Sequence, residues 1–167
     1  MAEKLLAFDF LKYADPSEQD SLKTAIMGSF NIYNDGNYRI SHIDAEELAE
    51  CSFEFFLPRL NNILAKRAFQ LNVETSDNNE TSHEIVINGE AIQLFTEKEL
   101  NNNSYWDTAP RNFFKKVNEL LRNKAVEERF YLLYGGNDLH TMLLTEQQFL
   151  VISEYYHGNE KESPYLP

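Results

Sequence analysis

Acid–base or nucleophilic chemistry in this chain would have to pass through four histidines, His42, His83, His140 and His157, and one thiol, Cys51. Histidine is the side chain most suited to moving protons near neutrality, because its ordinary pKa lies there. None of the four stands in an HxxxH, HExxH or Cys/His spacing, so no metal centre is expected. His140 lies in an apolar run and reads as a core or sheet-edge residue. Cys51 falls on the apolar side of an expected helix without a basic neighbour, which favours a buried, inert thiol. Gly135-Gly136 lacks the Lys-Ser/Thr pair and the third glycine of a phosphate loop and leads into a strand, so it reads as a reverse turn. A hydrolase or ligand-binding reading would need a deep cavity lined by His42 or His140 and two carboxylates. Nothing in these residues makes a catalytic constellation, and no cofactor is implied.

The other chemistry available is charge. The 167 residues carry a formal net charge of −12. Affinity for nucleic acid comes largely from Lys and Arg on phosphates, so duplex DNA and RNA are poor ligands for such a chain. Anionic membrane surfaces are disfavoured for the same reason. A basic protein partner fits, since an acidic surface attracts and orients it; simple solubility is the plain alternative. Residues 40–58 contain Asp44, Glu46, Glu47, Glu50 and Glu54 and no Lys or Arg. Glu46 and Glu50, and separately Glu47 and Glu54, recur at helical spacings, which predicts an anionic helix surface. Like charges at i, i+4 weaken a helix by a few tenths of a kcal/mol, a modest argument that something cationic meets that surface. Against it, Asp44, Glu46 and Glu47 also complement a helix N-terminus.

Residues 68–97 hold a second acidic set, Glu74, Asp77, Glu80, Glu84 and Glu90, which reads as a solvated loop and outer hairpin face. Arg111, Lys115, Lys116, Arg122 and Lys124 collect on a later helix; such a set can bind phosphate groups, but against a net charge of −12 it reads as an ordinary solvated face. Tyr105-Trp106 precedes that helix; it is either a core anchor or, if exposed, an interface hot spot.

The elements that must position these residues are legible in part. Phe130–Tyr134 is apolar on both alternating faces, as in a strand covered on both sides. Gly135 to Asp138 turns the chain back, and Leu139–Leu144 is again apolar on both faces. Thr145 with Gln148 is a capping box that opens a helix through Phe149, Leu150, Val151 and Ile152. This unit predicts the centre of the fold. His83–Ile87, Asn88-Gly89 and Glu90–Phe95 predict a hairpin with Ile85 facing Ile92 and Glu84 facing Gln93. A second hairpin is expected around Asn34-Asp35-Gly36-Asn37, between Asn31–Tyr33 and Tyr38–Ile43.

Asp15-Pro16 with Glu18 reads as the cap of a helix carrying Leu22, Ala25, Ile26 and Phe30. Asp44 with Glu47 opens a helix through Leu48, Cys51 and Phe55, kinked or broken at Pro58 and resuming through Leu60, Ile63 and Leu64. Phe69–Thr75 reads as a strand, Ser76–Ser82 as a mobile polar connection, and Thr96–Leu100 as a helical turn. Asp107 or Thr108 would cap a helix with Pro110 in its first turn and Phe113, Phe114, Val117, Leu120 and Leu121 buried.

The length and the 43% hydrophobic content suit a single domain over residues 1–167, with 157–167 a loosely held tail. The apolar runs are too short to span a membrane, and MAEKLLAFDF lacks the features of a secretory signal. One cysteine fits a reducing, cytoplasmic setting. Helices and mostly antiparallel strands mix irregularly, so the expected class is α+β.

Two runs carry a family resemblance. Arg129–Tyr156, RFYLLYGGNDLHTMLLTEQQFLVISEYY, and Ala45–Phe69, AEELAECSFEFFLPRLNNILAKRAF, together about a third of the chain, resemble the immunity proteins of bacterial contact-dependent growth inhibition systems. The similarity is to those paired with EndoU-type nuclease toxins. It implies a non-enzymatic cytoplasmic protein with a Whirly-like arrangement of antiparallel sheets and helices. Such a protein binds its cognate toxin domain, here expected at 1:1, and blocks RNA cleavage. No interface residue transfers through the resemblance. From charge alone, Asp44, Glu46, Glu47, Glu50 and Glu54, with Tyr105 and Trp106, are the candidate partner-binding residues. Another acidic adaptor, or an inhibitor of a different basic enzyme, fits the same charge.

Overall fold

A computed structural model describes residues 1–77, 79–159 and 161–167; the side chain of Glu80, part of the second acidic stretch, lies outside the described residues. In chain order the elements are α1 (Ala2–Ala7), α2 (Gln19–Gly28), β1 (Ile40–His42), α3 (Ala45–Ala49), α4 (Leu57–Ala65), β2 (Val73–Thr75), α5 (Asn79–Ser82), β3 (Glu84–Ile87), β4 (Glu90–Gln93), α6 (Glu97–Asn101), α7 (Tyr105–Asn123), β5 (Arg129–Leu133), β6 (His140–Leu144) and α8 (Glu146–Tyr155). The strands form two antiparallel sheets, ordered β1-β6-β5 and β2-β3-β4, so the fold is α+β.

The β5–β6 pair is the middle of the molecule because its sequence is apolar on both faces. Successive strand residues point to opposite sides. Phe130, Leu132 and Leu143 face a cluster with Leu48, Leu60, Phe113 and Phe114 from α3, α4 and α7, which also takes in Ile85 and Ile87 of β3. Tyr131, Leu133, Met142 and Leu144 face the other way, toward Leu5, Phe10, Ile26 and Ile152. Each such side chain stabilises the fold by roughly 1.5–3 kcal/mol on burial. Aromatic packing fixes the layers: Phe114 and Phe130 lie 5.3 Å apart by ring centroids, and Tyr131 stacks on Phe149 at 4.1 Å. The Thr145–Gln148 capping box forms in both directions and starts α8 where the sequence places it.

The outer edge of β5 does not continue into another strand, yet its backbone is satisfied. The amide of Asn118, on α7, bonds both backbone groups of Phe130. Two residues on, Leu132 exchanges both backbone bonds with Tyr165, each 2.8 Å. The tail expected to be loose is therefore held at Tyr165, whose hydroxyl also donates to the carbonyl of Tyr134 at 2.6 Å. Covering an edge in this way removes a template for unwanted strand pairing.

The Asn88-Gly89 hairpin has the expected register, Ile85 opposite Ile92 and Glu84 opposite Gln93. Asn88 and Gly89 both have positive φ, as a type I′ turn needs.

Several expectations fail, each for a local reason. Residues 31–43 do not form a hairpin. Asp35–Asn37 is a 3-10 turn, and β1 pairs instead with β6, about a hundred residues away. Asp15 does not cap α2, whose N-cap is Glu18. Its carboxylate accepts from Lys66 Nζ and Tyr38 Oη at 2.8 and 3.1 Å. Of Phe69–Thr75 only Val73–Thr75 is strand. Helix α7 starts at Tyr105, so Pro110 lies inside it rather than in its first turn. Pro110 has no N–H to offer Trp106, but the proline ring is buried against the core, as is Phe113 one turn later.

The largest departure is at Cys51. The expected helix through Phe55 ends at Ala49, because Cys51 takes a left-handed conformation with φ of 63°. Ser52 N–H then bonds Glu47 C=O and Cys51 N–H bonds Leu48 C=O, the paired bonds of a Schellman ending. A 3-10 turn follows at Phe53–Phe55, and Pro58 sits in the first turn of a new helix, α4, where its missing N–H costs nothing.

Candidate partner-binding surface

Breaking the helix at Cys51 rearranges the acidic residues of segment 44–55. Asp44 is the N-cap of α3, and its carboxylate accepts from the N–H groups of Glu46 and Glu47 at 3.0 and 3.4 Å. That carboxylate is committed to holding the helix start, with a φ of 59° at Asp44 itself. Glu46 accepts from the Asn137 side chain at 3.4 Å, which ties α3 to the turn between β5 and β6. Glu47 and Glu54 do not share a continuous helix face: one lies in α3, the other in the 3-10 turn. Glu50 and Glu54 are exposed. Among the described residues none of Asp44, Glu46, Glu47, Glu50 and Glu54 makes an ion pair, whereas the neighbouring cations Arg59 and Lys66 pair with Asp35 and Asp15.

The same break turns Phe55 outward. In an unbroken helix Phe55 would continue the buried stripe; here Phe53 and Phe56 go inside and Phe55 is 68% exposed. It stands between exposed Glu54 and half-buried Leu57. The sequence held a signal for this, the spacing of Phe53 and Phe56 by three, but it competes with the Leu48–Cys51–Phe55 pattern.

Tyr105 and Trp106 divide. Tyr105 packs partly buried on the core and touches Phe95 at 5.2 Å. Trp106, 37% exposed, opens toward a groove of about 230 Å³. Ala45, Trp106, Asp107, Pro110, Gly136 and Tyr165 line it. The groove thus begins where α3 begins, and Trp106 joins the acidic segment in one region because α3 packs along α7. Asp107 is bound by Arg111 at 2.9 Å, and the Arg111 guanidinium sits 4.9 Å over the Tyr165 ring. Tyr165 and the exposed Leu166 beside it escape any reading of the sequence, because the tail carries no periodic signal.

The histidines do not converge on a cavity. His42 and His140 are cross-strand partners with ring centroids 4.8 Å apart. His42 Nε2 lies 2.8 Å from the Asn137 carbonyl, and His140 Nδ1 lies 2.8 Å from the Asp138 carbonyl. A carbonyl only accepts, so those nitrogens carry the protons. Burial pushes the pKa of His140 down, and the nearby His42 lowers it further, against the Asp138 carbonyl bond, which raises it. His83 stacks on Phe95 at 4.3 Å. Neither the groove nor the larger cavity described below has a histidine in its lining.

Cys51 is half-buried, and burial pushes its thiol up, opposed by a bond from Asn79 at 3.4 Å. Among the described residues no group of three His, Cys, Asp or Glu side chains is placed to hold a metal ion. No described helix is long and apolar enough to cross a membrane.

On the basic face of α7, Lys116 pairs with Glu90 and Glu119, and Arg111 with Asp107, while Lys115 and Arg122 are exposed. No protein-family model, curated protein or solved structure matches the chain.

Proposed function

We propose that the chain is a binding module for a basic protein, and that this partner is an RNA-cleaving toxin domain which it neutralises one to one. The observation that carries the proposal is segment 44–55: Glu47, Glu50 and Glu54 lack ion-pair partners among the described residues, and exposed Phe55 stands beside them. An exposed aromatic ring among carboxylates fits a cationic surface in two ways. The ring anchors a desolvated contact, and the carboxylates steer encounter and fix register. A nuclease groove that holds RNA phosphates is such a surface. The choice of a toxin domain rests on the family resemblance, of whose two runs Ala45–Phe69 contains most of the segment. Within this reading Asp44 and Tyr105 serve mainly to hold α3 and α7 in place, and Glu47, Glu50, Glu54, Phe55 and Trp106 make the contact.

The test is calorimetry with a candidate toxin nuclease domain, taken from a gene directly upstream of this one where such a gene is present, at two salt concentrations, with RNA cleavage followed in parallel. Tight 1:1 binding that abolishes cleavage and weakens with salt is expected. Binding that leaves cleavage intact would remove the inhibitory role and keep an adaptor; absence of binding would remove the toxin as partner.

A further inference from the structure

A larger cavity, of about 570 Å³, lies between the α1–α2 connection, the loop before β5 and the start of α8. Its floor is an ionic cluster that nothing above uses. Glu128 receives Arg67 Nε at 2.8 Å and Arg67 Nη2 at 3.1 Å, and Arg39 Nη1 from the other side. All three side chains are at most 5% exposed. Two guanidiniums share one carboxylate, so the buried cluster carries a surplus positive charge. Backbone carbonyls of Phe10, Leu143, Tyr38 and Ile63 also accept from these arginines, but they contribute dipoles, not a counter-charge.

The mouth adds no net charge: Lys12 and Lys124 stand there with Asp9 and Glu127, so the lining as a whole keeps the single surplus positive charge of the buried cluster, in a chain of −12. Among the described residues Lys12 and Lys124 form no ion pair, and the Tyr13 hydroxyl makes no hydrogen bond. The Tyr13 ring lies within 6 Å of three cations, Arg67 at 3.7 Å, Lys12 at 5.4 Å and Arg39 at 5.8 Å. A buried surplus charge is costly without a counter-ion, and unused cationic donors standing in front of it favour an anion over water.

We propose that this cavity binds a small phosphate-bearing molecule, held by Lys12, Lys124 and the Tyr13 hydroxyl over the Arg39–Glu128–Arg67 floor. A volume of about 570 Å³ lies within the range of about 300–1,000 Å³ usual for small-ligand sites. Asp9 and Glu127 in the same lining set the specificity in part: a highly charged polyanion such as a nucleic-acid strand meets their repulsion more than a single phosphate group does. The site is independent of the acidic segment, and its test does not involve the protein partner.

The experiment is titration of the full chain with inorganic phosphate, with AMP and with adenosine, followed by amide chemical shifts. Shifts at Lys12, Tyr13, Lys124 and Gln147 are expected with phosphate and AMP and not with adenosine. Tighter binding of AMP than of phosphate would assign an ester as the ligand, and equal binding would assign free phosphate. Lys12 and Lys124 are exposed, so K12Q and K124Q keep the fold. Each should weaken binding by about tenfold, the loss of one charge-assisted hydrogen bond. K115Q, on α7 away from the cavity, should not change it. Adenosine binding as well as AMP, affinities unchanged in K12Q and K124Q, or no shifts with either anion would overturn the proposal.

Discussion

The side-chain amide of Asn118 pairs with both backbone groups of Phe130: Asn118 Nδ2 donates to the Phe130 carbonyl at 2.9 Å, and the Phe130 N–H donates to Asn118 Oδ1 at 2.7 Å. A helix residue thus does at β5 what a neighbouring strand would do. Replacing Asn118 by Leu keeps the branched shape of the side chain and leaves a buried N–H and C=O unpaired. We expect a loss of about 2–4 kcal/mol, since each orphaned group costs about 1–3 kcal/mol. Urea unfolding measures it; a loss within experimental error of zero would mean that β5 does not depend on this contact.

The cluster of Arg39, Glu128 and Arg67 makes a second stability prediction. Glu128→Gln leaves two buried guanidiniums without their carboxylate. Breaking a buried ion pair from one side costs about 3–5 kcal/mol. The pH dependence has a definite sign. Burial pushes the Glu128 carboxyl up, but the Arg67 bonds and the Arg39 and Arg67 charges outweigh it and hold it below its ordinary value. Its contribution is therefore complete above the ordinary carboxyl range and lost as the pH falls through the lowered pKa. Stability of the wild-type chain should fall in acid more steeply than that of Glu128→Gln.

His140 gives a dependence at higher pH. Its pKa is held below 6.5 by burial first and by His42 second. Below 6.5 the unfolded chain takes up this proton before the folded chain does, so stability is lost as the pH falls from 6.5 toward the folded value. The groups facing the pair are the carbonyls of Asn137 and Asp138, the ring of Tyr33 at 5.3 Å and the Asp138 carboxylate. A histidine NMR titration should show His140 titrating below the ordinary histidine range, and His42→Asn should raise its pKa. An unchanged value in that variant would show that His42 has no part in it.

Ala68 is exposed and left-handed, with φ of 53°, at the end of α4. Phe69 N–H bonds Leu64 C=O and Ala68 N–H bonds Ala65 C=O, so the position is one that glycine usually fills. An L side chain there costs about 1–2 kcal/mol, and glycine gives back about 0.5–1 kcal/mol through the freedom of the unfolded chain. Ala68→Gly should stabilise the protein by roughly 0.5–1 kcal/mol. A lower unfolding midpoint would contradict the backbone assignment at this residue.

For the partner surface, Phe55→Ala and Trp106→Ala should slow neither encounter nor its salt dependence but should speed dissociation, since aromatic anchors act after contact. Glu50→Lys with Glu54→Lys should do the reverse, lowering the association rate and flattening its response to salt. Stopped-flow binding separates the two. If the charge variants associate as fast as the wild type, segment 44–55 lies outside the interface.

Local sequence determined the elements whose signals are complete within a few residues. The Thr145–Gln148 box, the Asn88-Gly89 turn with its register, and the two-sided apolar pattern of Phe130–Leu144 each specify their geometry through neighbours in the chain. The α+β class follows from them. Tertiary structure decided where local signals compete or are silent. Tyr38–Ile43 could pair with Asn31–Tyr33 or with a distant strand, and the buried middle of β6 offers more apolar surface. Helix α3 could run on to Phe55, but burying both Phe53 and Phe56 requires a break at Cys51, for which the sequence supplies no glycine. That break, unannounced in composition, is what exposes Phe55 among its carboxylates. Arg39, Arg67 and Glu128 likewise look like ordinary surface residues in the sequence. They meet only because three remote segments close over them, and burial then turns a scattered set of charges into a cavity floor.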